Sequence, residues 1–225
     1  MKKTDFVFPG LKTKYLPLLF LTAFRAEAEA LFRIHPFQLI EQEKKIHLYH
    51  LPPEPIFLLI TGPGPSSLDR WLEHTAPVLL VNFGICGGLD LALPLFQNFL
   101  VRQVSHLDDP VISTEIHFPD FPEQLLTFFS ACRLLSSDYP VLQESLRKKL
   151  YQQSGCQLLD MEGYSLAKAA QKYAIPIILL KHLTDYCDES AASSIRENRS
   201  IWKIGLQNGL IKLLEIFSEF GDKRN

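Results

Sequence analysis

The stretch LLDMEGYSLAKAAQKYAIPIILLKHLTDYCDE, Leu158 to Glu189, decides the reading of this chain. An acidic pair, Asp160 and Glu162 around Met161, stands just before a helix-like run. A proline-primed apolar strand follows, and it ends in a second acidic cluster at Asp185 and Asp188. Carboxylates separated by one helix and one strand can meet at one edge of a parallel sheet. In open α/β sheets ligands bind at the carboxyl ends of strands.

Working outward, the same alternation recurs. Leu16–Phe24 is a continuous apolar run, as expected of a strand buried on both faces. Arg25–Phe32 carries the small and acidic residues of a helix start. Ile46–Leu51 alternates weakly, and Ile56–Ile60 reads as a second core strand after a proline turn. The loop TGPGPSS (61–67) precedes a helical Leu68–His74. Pro77 primes a third core strand, Val78–Val81, which runs into NFGICGGLD, read as a glycine-rich turn. Phe99–Val104 is another strand. Residues 107–131 are interrupted by Asp108, Asp109, Pro110, Pro119 and Pro122. Cys132–Ser136 and Cys156–Leu159 read as short strands, Leu142–Tyr151 as an amphipathic helix, Gly163–Tyr173 as a helix and Ile175–Leu180 as a strand. The end, Ile201–Phe220, spaces Trp202, Leu206, Leu210, Leu213, Leu214 and Phe217 as one helical face. The expected fold is therefore α/β: a three-layer α/β/α sandwich around a mostly parallel, twisted, mixed sheet. No linker or repeat divides residues 1–225, so one domain is expected.

Composition narrows the function classes. The 225 residues are 47% hydrophobic and 21% charged, which suits a packed domain and not a disordered chain. A net charge of -2 argues against a broad nucleic-acid footprint. No apolar run is long enough to span a bilayer. The basic N-terminus before LPLLFLTAF superficially resembles a secretory signal, but Asp5 interrupts it, and a buried first strand is the preferred reading. Cys86, Cys132, Cys156 and Cys187 lack C-x-x-C or zinc-finger spacing, which points to buried thiols in a reduced, cytoplasmic protein.

Taken singly, the candidate functional residues have plain alternatives. Gly84, Gly87 and Gly88 make neither a G-x-G-x-x-G nor a Walker motif. They describe a tight turn whose free N–H groups can bind an oxygen. Glu27 alone is a solvated helix-face carboxylate. Asp185 alone is equally a helix cap or a functional acid. His182 reads as structural, and Met161 as core packing.

Together these pieces resemble the nucleoside phosphorylase and nucleosidase superfamily, closest to the 5'-methylthioadenosine/S-adenosylhomocysteine nucleosidases, over most of the chain. The opening stretch is similar to that family's M-E-G/A, helix, strand and S-D. VLLVNFGICGGLDLALPLFQNFLVRQV looks like its N-T-G-x-A-G-G-L turn and G-D-[IV]-V strand, RLLSSDYPV like its S-G-D-x-F-[IV] loop, and LFLTAFRAEAEALF like its first strand and acidic helix. The M-E plus S/T-D combination is the specific part. The resemblance implies that Asp185 is the general acid at purine N7 and that Glu27 orients and deprotonates the attacking water. It implies that Glu162 accepts hydrogen bonds from the ribose hydroxyls and that Met161 packs on the ribose. Gly87 would lie against sugar or base, and Cys86, Thr184 and Tyr139 complete the expected substrate-binding set. No metal or organic cofactor is implied. The expected partner is a small-molecule nucleoside, not nucleic acid or membrane, and the family usually forms homodimers.

The chain also departs from the pattern. Ile85 replaces a small polar residue, Lys181 an arginine and Ser137 a glycine, and Pro140 falls where an aromatic stacks, with Tyr139 beside it. The segment between Val104 and Cys132 looks shortened. Asn82 takes the place of a phosphorylase's phosphate-holding arginine, while Arg25 keeps phosphorolysis open. Hydrolysis is favoured. RSIWKIGLQNGL also resembles futalosine hydrolases, and a nucleoside-binding homologue without turnover is the non-enzyme alternative.

Overall fold

The computed structural model describes residues 17–64, 67–107 and 123–222. The basic N-terminal stretch, Pro65 and Ser66 of the first loop, and the segment from Asp108 to Pro122 lie outside these residues. In chain order the elements are β1 (Leu18–Thr22), α1 (Arg25–Phe32), β2 (Gln38–Glu43), β3 (Ile46–Leu51), β4 (Ile56–Ile60), α2 (Asp69–Thr75), β5 (Leu79–Gly88) and β6 (Asn98–His106). They continue as α3 (Glu123–Phe128), β7 (Ser130–Ser136), α4 (Glu144–Ser154), β8 (Leu158–Asp160), α5 (Gly163–Lys172), β9 (Ile177–Asp185), α6 (Ala191–Glu197) and α7 (Arg199–Asp222).

The strands form one mixed sheet in the order β2-β3-β4-β1-β5-β8-β7-β6-β9, and β9 also pairs with β5. The second half of the sheet therefore closes into a ring, β5–β8–β7–β6–β9–β5. The pairings β1–β4, β1–β5, β5–β9, β6–β7 and β7–β8 are parallel. The pairings β2–β3, β3–β4, β5–β8 and β6–β9 are antiparallel. The expected α/β sandwich around a mixed, mostly parallel sheet is what forms.

Alternation along the strands sorts the core into layers. Leu18 and Phe20, Val81 and Phe83, and Ile178 and Leu180 pack with Ala28 and Leu31 of α1 and with Leu206, Leu210 and Leu213 of α7. Their sequence neighbours Leu19 and Leu21, Leu80, and Ile177 and Leu179 pack on the other face with Trp71 and Leu72 of α2 and with Leu166, Ala167 and Ala170 of α5. A third cluster, Leu89, Leu135, Leu150, Leu159 and Cys187, lies under α4. Each fully buried Leu or Phe contributes about 1.5–3 kcal/mol relative to exposure. This is why three uninterrupted apolar runs make the centre of the sheet.

Helix α7 docks through glycines. A Cβ at Gly205 would strike the His182 ring, and one at Gly209 would meet the Asn98 amide at 2.6 Å. Asn98 donates from Nδ2 to the Gly205 carbonyl (2.8 Å), which fixes its amide orientation. Its Oδ1 then accepts from His182 Nδ1 (3.0 Å). Burial pushes the His182 pKa down to about 4, so the ring is neutral and structural, as expected from its position.

Three expectations need correction. NFGICGG is not a turn: β5 runs straight through it to Gly88, paired to β9 as far as Gly87. None of these glycines has positive φ. They are glycines because other side chains occupy the space a Cβ would take. These are the Glu27 carboxylate at Gly84, Cys187 Sγ at Gly87 and the Tyr186 ring at Gly88. Second, β2 was not anticipated. QLIEQE lacks alternation because it is an edge strand largely exposed on both faces. Third, Ile175–Leu180 ends too early: β9 starts at Ile177 and continues through Lys181 and His182 to Asp185, both polar side chains being buried. The remaining boundaries differ by a few residues, as with β8 at Leu158–Asp160 and α4 at Glu144–Ser154. α6 was missed, and α3 lies in the stretch the sequence left unread.

Candidate active site

Strand β5 organises the site because two of its neighbours, β1 and β9, run parallel to it. At its carboxyl end β1 gives way to α1 and β9 ends in Asp185. Glu27 is the third residue of α1 and is buried. Its Oε2 accepts from the Phe24 N–H (2.9 Å), turning back on the helix start in the manner of a capping box, and from Thr22 Oγ1 (2.6 Å). Its Oε1 accepts from the Ile85 N–H (2.8 Å). The backbone donor foreseen for a ligand oxygen thus serves the chain's own carboxylate. Burial raises the Glu27 pKa, while the Thr22 hydroxyl, the Ile85 and Phe24 amides and the Lys181 charge oppose that rise.

Asp185 reaches the same edge through a β-bulge. Cys86 pairs with Leu183 and Gly87 with Asp185, leaving Thr184 as the extra residue. The Thr184 hydroxyl lies 2.9 Å from Asp185 Oδ2 and 3.2 Å from the Cys86 carbonyl, and the Cys187 N–H donates to Asp185 Oδ1 (2.9 Å). Burial raises the Asp185 pKa, the Cys187 amide and Thr184 hydroxyl lower it, and the Asp188 charge adds to the rise. Glu27 lies against Gly84 and Ile85, and Asp185 stands beside Gly87. At about 3.3 Å per residue the two carboxylates are separated along β5 by roughly 7–10 Å.

Glu162 enters from the turn between β8 and α5, where Gly64 N–H donates to its Oε1 (2.8 Å). Its pKa is raised to about 7, by burial first and then by the Asp160 charge. Asp160 itself is fully engaged. Its Oδ1 accepts from Ser136 Oγ (2.6 Å) and its Oδ2 from the Gly163 N–H (2.9 Å), and it forms a buried ion pair with Lys181 Nζ (2.7 Å). Burial would lower the Lys181 pKa, but Asp160, Glu162 and Glu27 around it raise it instead, so the ammonium stays charged.

Of the other expected residues, Cys86 and Thr184 are buried beside Asp185, and Met161 is half-buried next to Glu162. Gly87 faces Cys187 Sγ and Asp185 on its Cβ side. Tyr139 is 48% exposed, its backbone held by the Ser137 hydroxyl (2.8 and 3.3 Å). Arg25 is exposed on the first turn of α1, and Asn82 is buried with Nδ2 on the Leu21 carbonyl (3.2 Å). The structural roles of Thr22, Gly64, Ser136 and Lys181 were not read from sequence. Lys181 carried a signal: a lone cation inside an apolar strand must be paired. Thr22, a hydroxyl ending an apolar run, carried a weak one. Among the described residues no cluster of His, Cys, Asp and Glu suits a metal ion.

Solved structures of nucleosidases share this fold, and the expected resemblance to the nucleoside phosphorylase and nucleosidase superfamily holds. The Phosphorylase superfamily sequence model matches residues 129–215. The chain is 23% identical to the 5'-methylthioadenosine/S-adenosylhomocysteine nucleosidase of Buchnera aphidicola subsp. Acyrthosiphon pisum (strain Tuc7), over 86% of this chain and 95% of that one. The apo structure of 5'-methylthioadenosine nucleosidase from Arabidopsis thaliana superposes with a TM-score of 0.77 at 21% identity, covering 90% of this chain and 96% of the other. A futalosine hydrolase mutant of Helicobacter pylori strain 26695 superposes with a TM-score of 0.75 at 17% identity, covering 89% and 99%.

Proposed function

We propose that this chain is an N-ribosyl hydrolase that cleaves the glycosidic bond of a purine-type nucleoside such as 5'-methylthioadenosine or S-adenosylhomocysteine. One observation carries the reading: Glu27, near the start of the chain, and Asp185, near its end, stand at the carboxyl end of one strand, both buried, with Glu162 close by. The similar nucleosidases supply the substrate class.

In the proposed reaction the C1'–N9 bond breaks and its electron pair passes to the base. Asp185 donates a proton to base N7, water adds to C1', and Glu27 takes the proton that the water loses. Free base and the ribose, still carrying its 5'-substituent, are the products. Burial helps Asp185, because a raised pKa keeps the acid protonated toward neutrality. Burial hinders Glu27, which must be ionised, and its three hydrogen bonds and Lys181 offset part of that. Glu162 accepts from the ribose hydroxyls, Met161 packs on the sugar, Cys86, Gly87 and Thr184 form the wall beside Asp185, and Tyr139 lies toward the base. The enzyme works as a single domain in the cytoplasm, as a homodimer, without cofactor.

Phosphorolysis is disfavoured because Arg25 is exposed and Asn82 is buried against Leu21. Futalosine is the second substrate reading, because structures of both enzyme kinds superpose equally well. The test is chromatography of released base from 5'-methylthioadenosine, S-adenosylhomocysteine, inosine and futalosine, with and without phosphate. Phosphate-independent release, lost in Asp185→Asn and Glu27→Ala, is expected. Strict phosphate dependence makes the protein a phosphorylase, and binding without release makes it a non-catalytic homologue.

A further inference from the structure

We propose that Thr22 is a positioning residue for Glu27: its hydroxyl and the Phe24 amide together fill Oε2, so that Oε1 is the atom that takes the proton from the attacking water. This rests on the assignment of Glu27 as the base.

The geometry is an accounting of lone pairs. A carboxylate offers about four acceptor positions, two on each oxygen. Oε2 has two donors, Thr22 Oγ1 at 2.6 Å and Phe24 N–H at 2.9 Å. Among the described residues Oε1 has one, Ile85 N–H at 2.8 Å. The open acceptor position is therefore on Oε1, beside Gly84. A Cβ at Gly84 would lie 2.7 Å from Oε1, so only a bare Cα leaves that oxygen uncrowded. Ile85 stands where the family pattern has a small polar residue, and here it gives the carboxylate its amide alone. The hydroxyl arrives from the opposite side, from the last residue of β1, which is itself buried.

Among the described residues the charged surroundings of Glu27 are few. Lys181 on β9 favours its ionised form, and Glu162 in the β8–α5 turn interacts with it as a like charge. On its own helix, Glu29 points to Lys203 of α7 (2.5 Å) and Arg25 is exposed. Thr22 heads the interactions that oppose the effect of burial. Removing its hydroxyl raises the Glu27 pKa, so the base is lost at a higher pH.

Two readouts on Thr22→Val and Thr22→Ser test this. One is the acid limb of the pH–rate profile for base release. The other is the carboxyl titration of Glu27, followed by NMR with 13C-labelled glutamate and assigned by its loss in Glu27→Gln. In Thr22→Val both should move to higher pH by about one to two units, as expected for one charge-assisted hydrogen bond. The rate above the limb should be largely recovered, and Thr22→Ser should restore both curves. A Glu27 titration that stays in place in Thr22→Val overturns the role of Thr22, whatever happens to turnover. A titration that moves while the acid limb stays shows that Glu27 is not the base, which overturns the assignment beneath the proposal. A uniform loss of rate at every pH, with no shift, reduces Thr22 to packing.

Discussion

The two acidic turns of this molecule look alike in sequence and differ in what surrounds them. Asp160-Met161-Glu162 follows β8, and Asp185-Tyr186-Cys187-Asp188 follows β9. In the first, the leading carboxylate is fully engaged by Ser136, Gly163 and Lys181, and the trailing one keeps a single backbone donor, Gly64. In the second, the leading carboxylate is buried, makes no ion pair among the described residues, and is held by the Cys187 amide and the Thr184 hydroxyl. The trailing Asp188 accepts from the Ser190 amide and hydroxyl (2.9 and 2.6 Å) at the start of α6. Each turn therefore pairs a carboxylate that ties down the chain with one that the proposed reaction uses, in opposite order. What separates Asp160 from Asp185 is a buried charge partner, not spacing.

Four carboxylate substitutions, one of them also combined with a change at Lys181, sharpen or break that contrast. Asp185→Asn should lower kcat by about 10²–10⁴, the usual worth of a general acid, with an unchanged or higher unfolding midpoint because a buried carboxylate is neutralised. A marked loss of stability would show that Asp185 is structural. Asp160→Asn should do the reverse. It leaves the Lys181 ammonium buried without its ion partner and should cost about 3–5 kcal/mol in urea unfolding. Asp160→Asn combined with Lys181→Met should regain part of that loss, and strict additivity would refute the coupling.

Glu162→Gln comes next. Losing charged hydrogen bonds to the ribose should reduce kcat/KM by about 10–100-fold, equivalent to about 1.5–3 kcal/mol. It also changes the pH dependence of stability. With its pKa raised to about 7 in the fold, Glu162 binds its proton more tightly folded than unfolded. Its effect is to make stability fall as pH rises from about 4.5 to 7. Glu162→Gln should flatten that fall by an amount of order 1 kcal/mol, read by denaturation at pH 5 and pH 8. The smallest effect belongs to Asp188→Asn. Its charge helps to raise the Asp185 pKa, so the basic limb should move down by a fraction of a pH unit. An unmoved limb would dissociate the two residues.

The apolar runs made the sheet legible. Leu18–Thr22, Ile56–Ile60 and Ile177–Leu180 have few ways to be buried other than at its centre. The carboxylates were legible through their family pattern, and the environments that distinguish them were not. Ser136 and Gly64 act across 24 and 98 positions of sequence, so no local pattern marks them, while Thr22, five positions from Glu27, carried only a weak signal. The glycines of β5 misled for a related reason: sequence shows the missing side chain, not the neighbour that fills its place.

The closed half of the sheet has a consequence for how the protein is made. β9 is the last of the described strands and slots between β5 and β6, so the ring is completed only after Asp185 has been synthesised. Until then β5 and β6 each wait for a partner drawn from far along the sequence. Such non-local pairing slows folding and exposes unpaired edges to other chains. The same strand carries Asp185, so ring closure and assembly of the carboxylate cluster are one event. A chain released early, before β9, would lack both.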